Sequence, residues 1–326
     1  MFDLFSPLPV RNKSVDNNYL QTLLKVQERE LFTGLLHVQN AAQNQFVIFF
    51  QQGVLSVVYS LQGGQWKYVP AQDWKAELAL AEGDVRVMAL PVEGLRIFRI
   101  FLELEKNETH TFVSVPAEQI PAMISEWQKT ITASLLHVKQ QDTQAFFIIS
   151  ADPAFPLESL LAAPDRSQIG AAVLMHIKSW GERACMVTRL PTDLDSTSGN
   201  EFILRVAFSA FVQKVLERYQ ELAGRFLVTH LNDALNFLNE QNHRSLYFLG
   251  TGVNHREFFM DSEQAGRTYK VLLGKMYEEM NLVIGNEIAG RIFEDALASI
   301  SPRLRQQLEM YVLAGIPFPI KLEVKQ

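Results

Sequence analysis

Cysteine is almost absent from this sequence. Cys185 is the only one among 326 residues. A single cysteine excludes an internal disulfide framework and cannot by itself form a thiolate metal site. The N-terminus also lacks the basic segment and continuous apolar core of a signal peptide. We therefore expect a cytoplasmic protein in a reducing compartment.

Long apolar runs and basic clusters are missing as well. The longest apolar stretches, such as "FVIFF" at 46–50, fall far short of the roughly 20 residues that span a bilayer. The formal charge is −6, and no run of Lys and Arg exceeds two residues. A nucleic-acid interface needs a basic face to neutralise phosphates. We expect neither nucleic-acid binding nor membrane insertion.

Motifs for phosphate binding or catalysis are not found. The Gly-Thr-Gly at 250–252 lacks the third glycine of a dinucleotide fingerprint and the Lys-Ser or Lys-Thr of a phosphate loop, so a hairpin turn explains it. His243 and His255 recur in "NHRSLYF" and "NHREFFM" on opposite arms of a predicted hairpin, but zinc needs three or four ligands. We predict no catalytic residue, no metal and no cofactor, and hence no enzyme.

What the sequence does contain is a repeat. The segments "GLLHVQNAAQNQFVIFF" at 34–50 and "SLLHVKQQDTQAFFIIS" at 134–150 align without a gap. Each has an apolar run, a polar interval and an aromatic or β-branched run, which predicts a β-hairpin. The identical pairs in this alignment are Leu35/Leu135, Leu36/Leu136, His37/His137, Val38/Val138, Phe46/Phe146 and Ile48/Ile148.

A helical pattern precedes each hairpin, and a third, weaker instance has a helix at 231–242 and two runs at 244–260. Residues 151–167 indicate a connector with a short helix, and 202–227 one continuous helix. The fold class predicted is α+β, with two or three helix-plus-β-hairpin units and a helical C-terminal region. The domains predicted are 1–118, 119–200 (a second related α+β unit) and 201–326 (mostly helical, with the hairpin at 244–260).

The repeated His37 and His137 have two readings. A strand alternates faces, so His37 shares a face with Leu35 while Leu36 and Val38 point the other way. The favoured reading is a half-buried histidine in a duplicated strand. The alternative is a small-molecule sensor or enzyme whose site lies at the interface of the repeated units, with the two histidines brought together.

Three aromatic residues follow the Gly-Gly turn at 63–64: Trp66, Tyr68 and Trp74. Aromatic side chains near a turn can anchor a partner, because they carry large apolar area at small entropic cost. They can equally cap the core of their own domain. We take them as partner-binding candidates.

Residues 19–60 resemble the PATAN-type domain of bacterial and cyanobacterial signalling proteins. The resemblance lies in a leucine-rich helix, then "TGLLHV", "QFVIFFQQG" and "VLSVVYS", with Thr33, Gly34, Phe50 and Gly53 at the matching positions. It implies that Thr33, Gly34 and Gly53 form structural turns in a non-catalytic interaction module, often associated with receiver domains and with control of motility or development. The second copy departs from the motif, with Ala133-Ser134 in place of Thr-Gly.

The function expected from these observations is a non-catalytic bacterial signalling adaptor or scaffold that acts through protein–protein interaction. No receiver domain is visible in the chain, so the expected partner is a separate signalling protein such as a response regulator. A homo-oligomer stays open, because the helical C-terminal region could also associate with itself.

Overall fold

The computed structural model describes residues 14–15, 17–40, 44–70, 73, 83–104, 112–130, 133–163, 166–190, 194 and 196–313. The chain divides into two compact units, Met1–Ser198 and Gly199–Gln326. The first unit contains two six-stranded antiparallel sheets with their helices, and most of the chain from residue 197 onward is helical. The predicted α+β class with helix-plus-hairpin units is confirmed.

The first sheet has six antiparallel strands in the order β1-β6-β2-β3-β4-β5. The helix α1 (Asn17–Arg29) lies between β1 and β2 in the chain, and α2 (Val92–Leu104) follows β6. The strands are β1 Ser14–Val15, β2 Gly34–Asn40, β3 Gln45–Gln51, β4 Val54–Gln62, β5 Gln65–Val69 and β6 Gly83–Ala89.

The second sheet repeats this arrangement in the order β7-β12-β8-β9-β10-β11. The helices are α3 (Ile120–Thr130), between β7 and β8, and α4 (Ala171–Lys178), between β11 and β12. The strands are β7 Phe112–Pro116, β8 Ser134–Gln140, β9 Thr143–Ile149, β10 Glu158–Ala163, β11 Arg166–Ile169 and β12 Ala184–Leu190. The prediction of a connector with a short helix over 151–167 is wrong, because Glu158–Ala163 forms β10, which pairs with β9, and the chain then turns into β11.

The strand register corrects the alignment of the two copies. Val38 lies opposite Phe46 in the first hairpin, whereas Val138 lies opposite Ala145 in the second. Phe46 therefore corresponds to Ala145 and not to Phe146, so the gap-free alignment is wrong by one residue beyond the hairpin loop. A slip of one residue moves a side chain to the other face of a sheet, so only the offset register keeps equivalent positions on equivalent faces.

Each sheet buries an apolar face against its own helices. In the second sheet, Val138 and Phe147 pack with Ile124 of α3 and with Ile177 of α4. In the first sheet, Ile48 belongs to the corresponding face, where the partly buried side chains of α1 pack. This shared pattern is what the duplicated apolar positions encode.

The opposite faces of both sheets contact α2. Phe98 lies 6.5 Å from Phe49 of β3 and 6.0 Å from Phe146 of β9 between ring centroids, and Phe101 lies 4.8 Å from Phe146. The segment "LRIFRIFLELE" is ambiguous by periodicity, and the structure makes it a helix that buries Arg96 and Arg99. Because α2 is buried on more than one side, it lacks the polar face of a surface helix. Its sequence therefore matches neither the helical period of 3.6 residues nor the strand period of two.

Helices form most of the chain from residue 197: α5 Thr197–Ala223, α6 Arg225–Gln241, α7 Ser262–Ile284, α8 Asn286–Ser299 and α9 Pro302–Leu308, with a π-helical turn at Glu309–Leu313. A hairpin of β13 (Leu246–Leu249) and β14 (Gly252–His255) follows α6. The single helix predicted over 202–227 is wrong, because Gly224, at φ 84°, separates α5 from α6. The polar, turn-forming residues of the segment 191–200 predict a surface loop, but α5 already begins at Thr197.

Aromatic stacking holds the helices of the second unit together. Phe208 of α5 stacks on Tyr269 of α7 at 4.0 Å, and Phe293 of α8 contacts Phe211 and Tyr277 at 5.5 and 5.3 Å. These rings are nearly or fully buried. The second unit therefore has a core of its own, as a compact unit requires.

Candidate functional site

The predicted turn residues join the end of α1 to the turn between β3 and β4 of the first sheet. Gln52 donates its backbone N–H to Thr33 Oγ1 at 3.0 Å, and Gly53 donates to the carbonyl of Phe32 at 2.8 Å. Gly53 has φ 79°, and a Cβ there would overlap the carbonyl oxygen of Glu28. Only glycine fits a position that combines a positive φ with this close approach.

Gly34 meets a similar restriction at the start of β2. A Cβ at this position would overlap the carbonyl oxygen of Met88 and the ring of Phe32. The carbonyl of Thr33 also accepts a hydrogen bond from Leu90 N at 3.3 Å. Thr33 and Gly34 thus contact both the turn after β3 and the end of β6, which gives the pair a role in building the sheet.

The three aromatic partner-binding candidates differ in how far the structure exposes them. Trp66 is 8% exposed, so its assignment as a partner-binding residue is corrected to a core position on β5. Tyr68 is 50% exposed, and its ring rests on Tyr59 of β4 at 6.4 Å. Trp74 lies outside the described residues.

Tyr59 belongs to a buried polar network that the sequence analysis did not find. Arg99 Nε donates to the Tyr59 hydroxyl at 2.8 Å and to Glu103 Oε1 at 3.2 Å, and the Tyr59 hydroxyl donates to Glu103. Glu103 Oε2 accepts from both the backbone N–H and the hydroxyl of Ser198, at 2.8 and 2.7 Å. The i,i+4 spacing of Arg99 and Glu103 is the signal that could have indicated this pair.

The chemistry of this network favours a structural role. Burial raises the pKa of the Tyr59 phenol well above its usual range, and the carboxylate of Glu103 adds to this effect while Arg99 opposes it. The phenol therefore stays protonated and acts as a donor to the carboxylate. Through Glu103, the network ties the end of α2 to Ser198, the last residue of the first unit.

Each repeated histidine is paired with a glutamine of the neighbouring strand. The distance from His37 Nε2 to Gln45 Oε1 is 3.1 Å, and that from His137 Nε2 to Gln144 Oε1 is 2.9 Å. Gln45 and Gln144 are equivalent in the corrected register, since they lie opposite Gln39 and Lys139. The duplication has therefore kept the hydrogen-bonded pair together with the histidine.

The packing of His137 leaves it little access to solvent. Its ring stacks on Phe146 at 4.8 Å with an angle of 6° between the planes, and Phe101 of α2 lies 5.0 Å away. The exposed fractions of His37 and His137 are 3% and 6%. These contacts lend no support to the alternative of a ligand site at the interface of the repeated units.

The remaining histidine pair is not arranged as predicted. His243 follows the end of α6 with φ 52°, so it does not lie on an arm of the hairpin. His255 lies on β14, buried against Phe208 and Tyr269 at 5.9 and 5.4 Å. In the described part of the chain, no three His, Cys, Asp or Glu side chains are grouped so that they could hold a metal ion.

A ladder of asparagines holds the hairpin against α6. Asn232 Nδ2 donates to the carbonyl of Gly250 at 2.8 Å, and Asn239 Nδ2 donates to that of Leu246 at 2.8 Å. Between them, Asn236 Nδ2 donates to the Phe248 carbonyl at 3.0 Å, and Asn236 Oδ1 accepts from Phe248 N at 2.7 Å. These side chains take the place of a neighbouring strand, so the edge of β13 is covered.

The hairpin and α6 also present apolar side chains to solvent. On β13, Leu246 and Phe248 are buried, while Tyr247 and Leu249 point the other way and are 44% and 84% exposed. On α6, Phe226 and Phe237 are 81% and 61% exposed. The two phenylalanines are eleven residues, or about three turns, apart and so lie on one side of the helix. We call these four exposed side chains, Phe226 and Phe237 of α6 and Tyr247 and Leu249 of β13, the apolar surface. The two phenylalanines lie on a different side of α6 from the asparagines that hold the hairpin.

The sequence contains one pattern that could have indicated this site. Asn232, Asn236 and Asn239 have the i, i+4, i+7 spacing of one helix face. Asparagine is a poor helix former, so three on one face indicate that their amides are used.

Comparisons of the chain with protein families, with curated proteins and with solved structures find no match. Among the residues that the structure describes, no helix combines the length and the apolar character needed to cross a membrane.

Proposed function

We propose that this protein is a non-catalytic cytoplasmic adaptor that acts through protein–protein interaction and binds its partner at the apolar surface. The observation that carries the proposal is Leu249, 84% exposed on a hairpin whose backbone is fixed to α6 by asparagine side chains. The resemblance of residues 19–60 to PATAN-type domains supports a setting in bacterial signalling, in motility or developmental control, with a partner such as a response regulator.

Rigidity is the reason why this surface suits recognition. A side chain that is already positioned loses little conformational freedom on binding, so more of the burial energy appears as affinity. Burying Phe226, Phe237 and Leu249 would contribute roughly 5–9 kcal/mol in total, at about 1.5–3 kcal/mol for each large apolar side chain. That is comparable to the cost of association, so a complete interface needs contacts beyond these three.

Site-specific photo-crosslinking of the full chain in bacterial cells tests the proposal. A crosslinking amino acid is placed at Phe237 or at Leu249, and the matched control carries it at Met175, which is 73% exposed on α4. We expect both test positions to capture the same protein, identified by mass spectrometry as a signalling component, and the control position not to capture it. Capture of the same products at all three positions, or of none at the test positions, would contradict the proposal.

A purified-component measurement completes the test. Leu249→Asp and Phe237→Asp should each weaken binding of the captured partner by about tenfold or more, as expected for anchor residues. Met175→Asp should leave the affinity unchanged. Unaltered binding by both aspartate variants, with unaltered circular dichroism, would refute the role of the apolar surface.

A further inference from the structure

A groove of about 380 Å³ separates the last turns of α6 from the first half of α7. Its volume lies in the range of ~300–1,000 Å³ that is typical of ligand sites in proteins. It shares no residue with the apolar surface. Its lining includes the side chains of Leu238, Asn242, Arg244, Gln264, Arg267 and Val271.

The two arginines of the groove have donors to spare. Arg244 Nη1 lies 3.8 Å from Glu257 Oε1, and Arg267 Nη1 lies 3.9 Å from Glu263 Oε2. Both distances are longer than a hydrogen bond, and a guanidinium carries five N–H donors. Glu257 is held in place through its other oxygen, which accepts from Ser245 N at 2.7 Å. An additional anion can therefore bind the arginines while both existing ion pairs remain.

The amide side chains in the groove have defined orientations. Gln264 Oε1 accepts from Met260 N at 2.7 Å, so its NH₂ group, with two donors, points away from that bond. Asn242 Nδ2 donates to the carbonyl of Leu238 at 2.7 Å, which leaves Asn242 Oδ1 as an acceptor. The two arginines and these two amide side chains thus offer two guanidinium groups and an amide as donors, together with the acceptor of Asn242.

An apolar wall lies beside these polar groups. Val271 of α7 lines the groove and is 57% exposed, and Leu238 lies across from it on α6. A ligand that satisfies the whole lining carries a carboxylate and an aliphatic group side by side, with an N–H donor. The formal charge of the whole chain is −6, so two arginines with donors to spare in one groove are a distinctive feature for an acidic ligand to find.

We propose that this groove binds an acidic peptide segment, with an Asp or Glu next to an aliphatic residue. The carboxylate is received by Arg244 and Arg267, and the aliphatic side chain packs on Val271. A backbone N–H of the peptide donates to Asn242 Oδ1. The proposal rests on the proposed function in one respect only, since it takes the ligand to be part of a protein partner.

The experiment measures binding of defined peptides to the full chain by fluorescence polarisation at low ionic strength. The probe is a fluorescein-labelled peptide of alternating glutamate and leucine, and its matched control has glutamine in place of glutamate. The variants are Arg267→Gln and Arg244→Gln. Their control is Arg291→Gln, on α8, because Arg291 is similarly exposed to Arg267 and is paired with Glu287.

We expect the glutamate peptide to bind about tenfold more tightly than the glutamine peptide, because a charge-assisted contact contributes about that factor. Each groove variant should weaken its binding by a similar factor, and Arg291→Gln should not. Equal affinity for the two peptides, no binding of either, or an equal loss in the control variant would overturn the proposal. Equal occupation by free glutamate or inorganic phosphate would overturn it too, since it would show a small-anion site.

The two proposals can fail separately. Capture at Phe237 and Leu249 without peptide binding would refute the groove alone. Peptide binding that depends on Arg267, without capture at the apolar surface, would support the groove and refute the apolar surface as the docking site.

Discussion

The asparagine ladder makes Asn236→Ala the most informative single substitution in this protein. The change removes two hydrogen bonds to the backbone of Phe248, one of 2.7 Å to its N–H and one of 3.0 Å to its carbonyl. Phe248 is 2% exposed, so both groups would be left with little access to water. Each buried group without a partner costs about 1–3 kcal/mol. Because β13 lies near the surface, we expect a total of about 2–4 kcal/mol.

Hydrogen exchange followed by mass spectrometry is the appropriate assay. The chain has two compact units, so a single melting curve would not report one transition. Exchange of the amides in residues 245–256 reports opening of the hairpin by itself. A loss of 2 kcal/mol corresponds to exchange that is about 30-fold faster, and a loss of 4 kcal/mol to exchange that is several hundredfold faster.

Two further asparagines calibrate this result. Asn242→Ala is the control, because the exposed Asn242 side chain bonds only to the carbonyl of Leu238 in its own helix, and we expect a change below about 0.5 kcal/mol. Asn239→Ala removes one bond to Leu246 and should fall between the two, at about 1–2 kcal/mol. If Asn236→Ala exchanges no faster than Asn242→Ala, the ladder does not hold the hairpin and the reasoning is refuted.

Other predictions test the packing elsewhere. Gly266→Ala should destabilise the second unit by about 1–3 kcal/mol in urea unfolding, because its Cβ would lie 2.5 Å from the carbonyl oxygen of Tyr311; Gly274→Ala, which meets open space in the same helix, should not. Glu103→Gln removes the carboxylate that lies 3.2 Å from Nε of the buried Arg99 and should lower the free energy of unfolding by about 3–5 kcal/mol, so a loss below 1 kcal/mol would contradict the network. Burial raises the pKa of the Cys185 thiol, which should react with iodoacetamide slowly when folded and rapidly in urea, as measured by intact mass.

The hairpins are where the sequence was most predictive. The apolar run at 35–38 predicts a strand, whose successive side chains point to opposite faces, and the structure buries Leu36 and Val38 in the core on the side of α1. The polar interval of each hairpin predicts its turn. These are local properties, because the strand period and the turn chemistry depend only on neighbouring residues.

Such local properties do not predict the register of the second hairpin. Phe146 and Ile148 match Phe46 and Ile48 by identity, yet the strand pairing shifts the copy by one residue. The gap-free alignment matches these two residues, whereas the offset alignment matches Gln45 with Gln144, so residue identity does not select between the alignments. Only the requirement that each strand put its apolar set on the buried face selects between them.

The candidate site was predictable only in part. The sequence predicts a helix over 231–242 followed by two strand-like runs, and the structure contains α6 and the hairpin there. The hydrogen bonds between the Asn236 side chain and the Phe248 backbone form only because the hairpin folds back onto α6. The burial of Trp66 depends in the same way on the rest of its sheet.

By itself, then, the sequence determined the α+β class, the helix-plus-hairpin order and the hairpin turn at 250–252, because periodicity and glycine tolerance act over a few residues. The tertiary structure alone decided the register of β9, the hydrogen bond from the buried Arg99 of α2 to Tyr59 of β4 and the asparagine-covered edge of β13. Each of these depends on groups from different elements being brought together, since a buried polar group is stable only where folding supplies its partner.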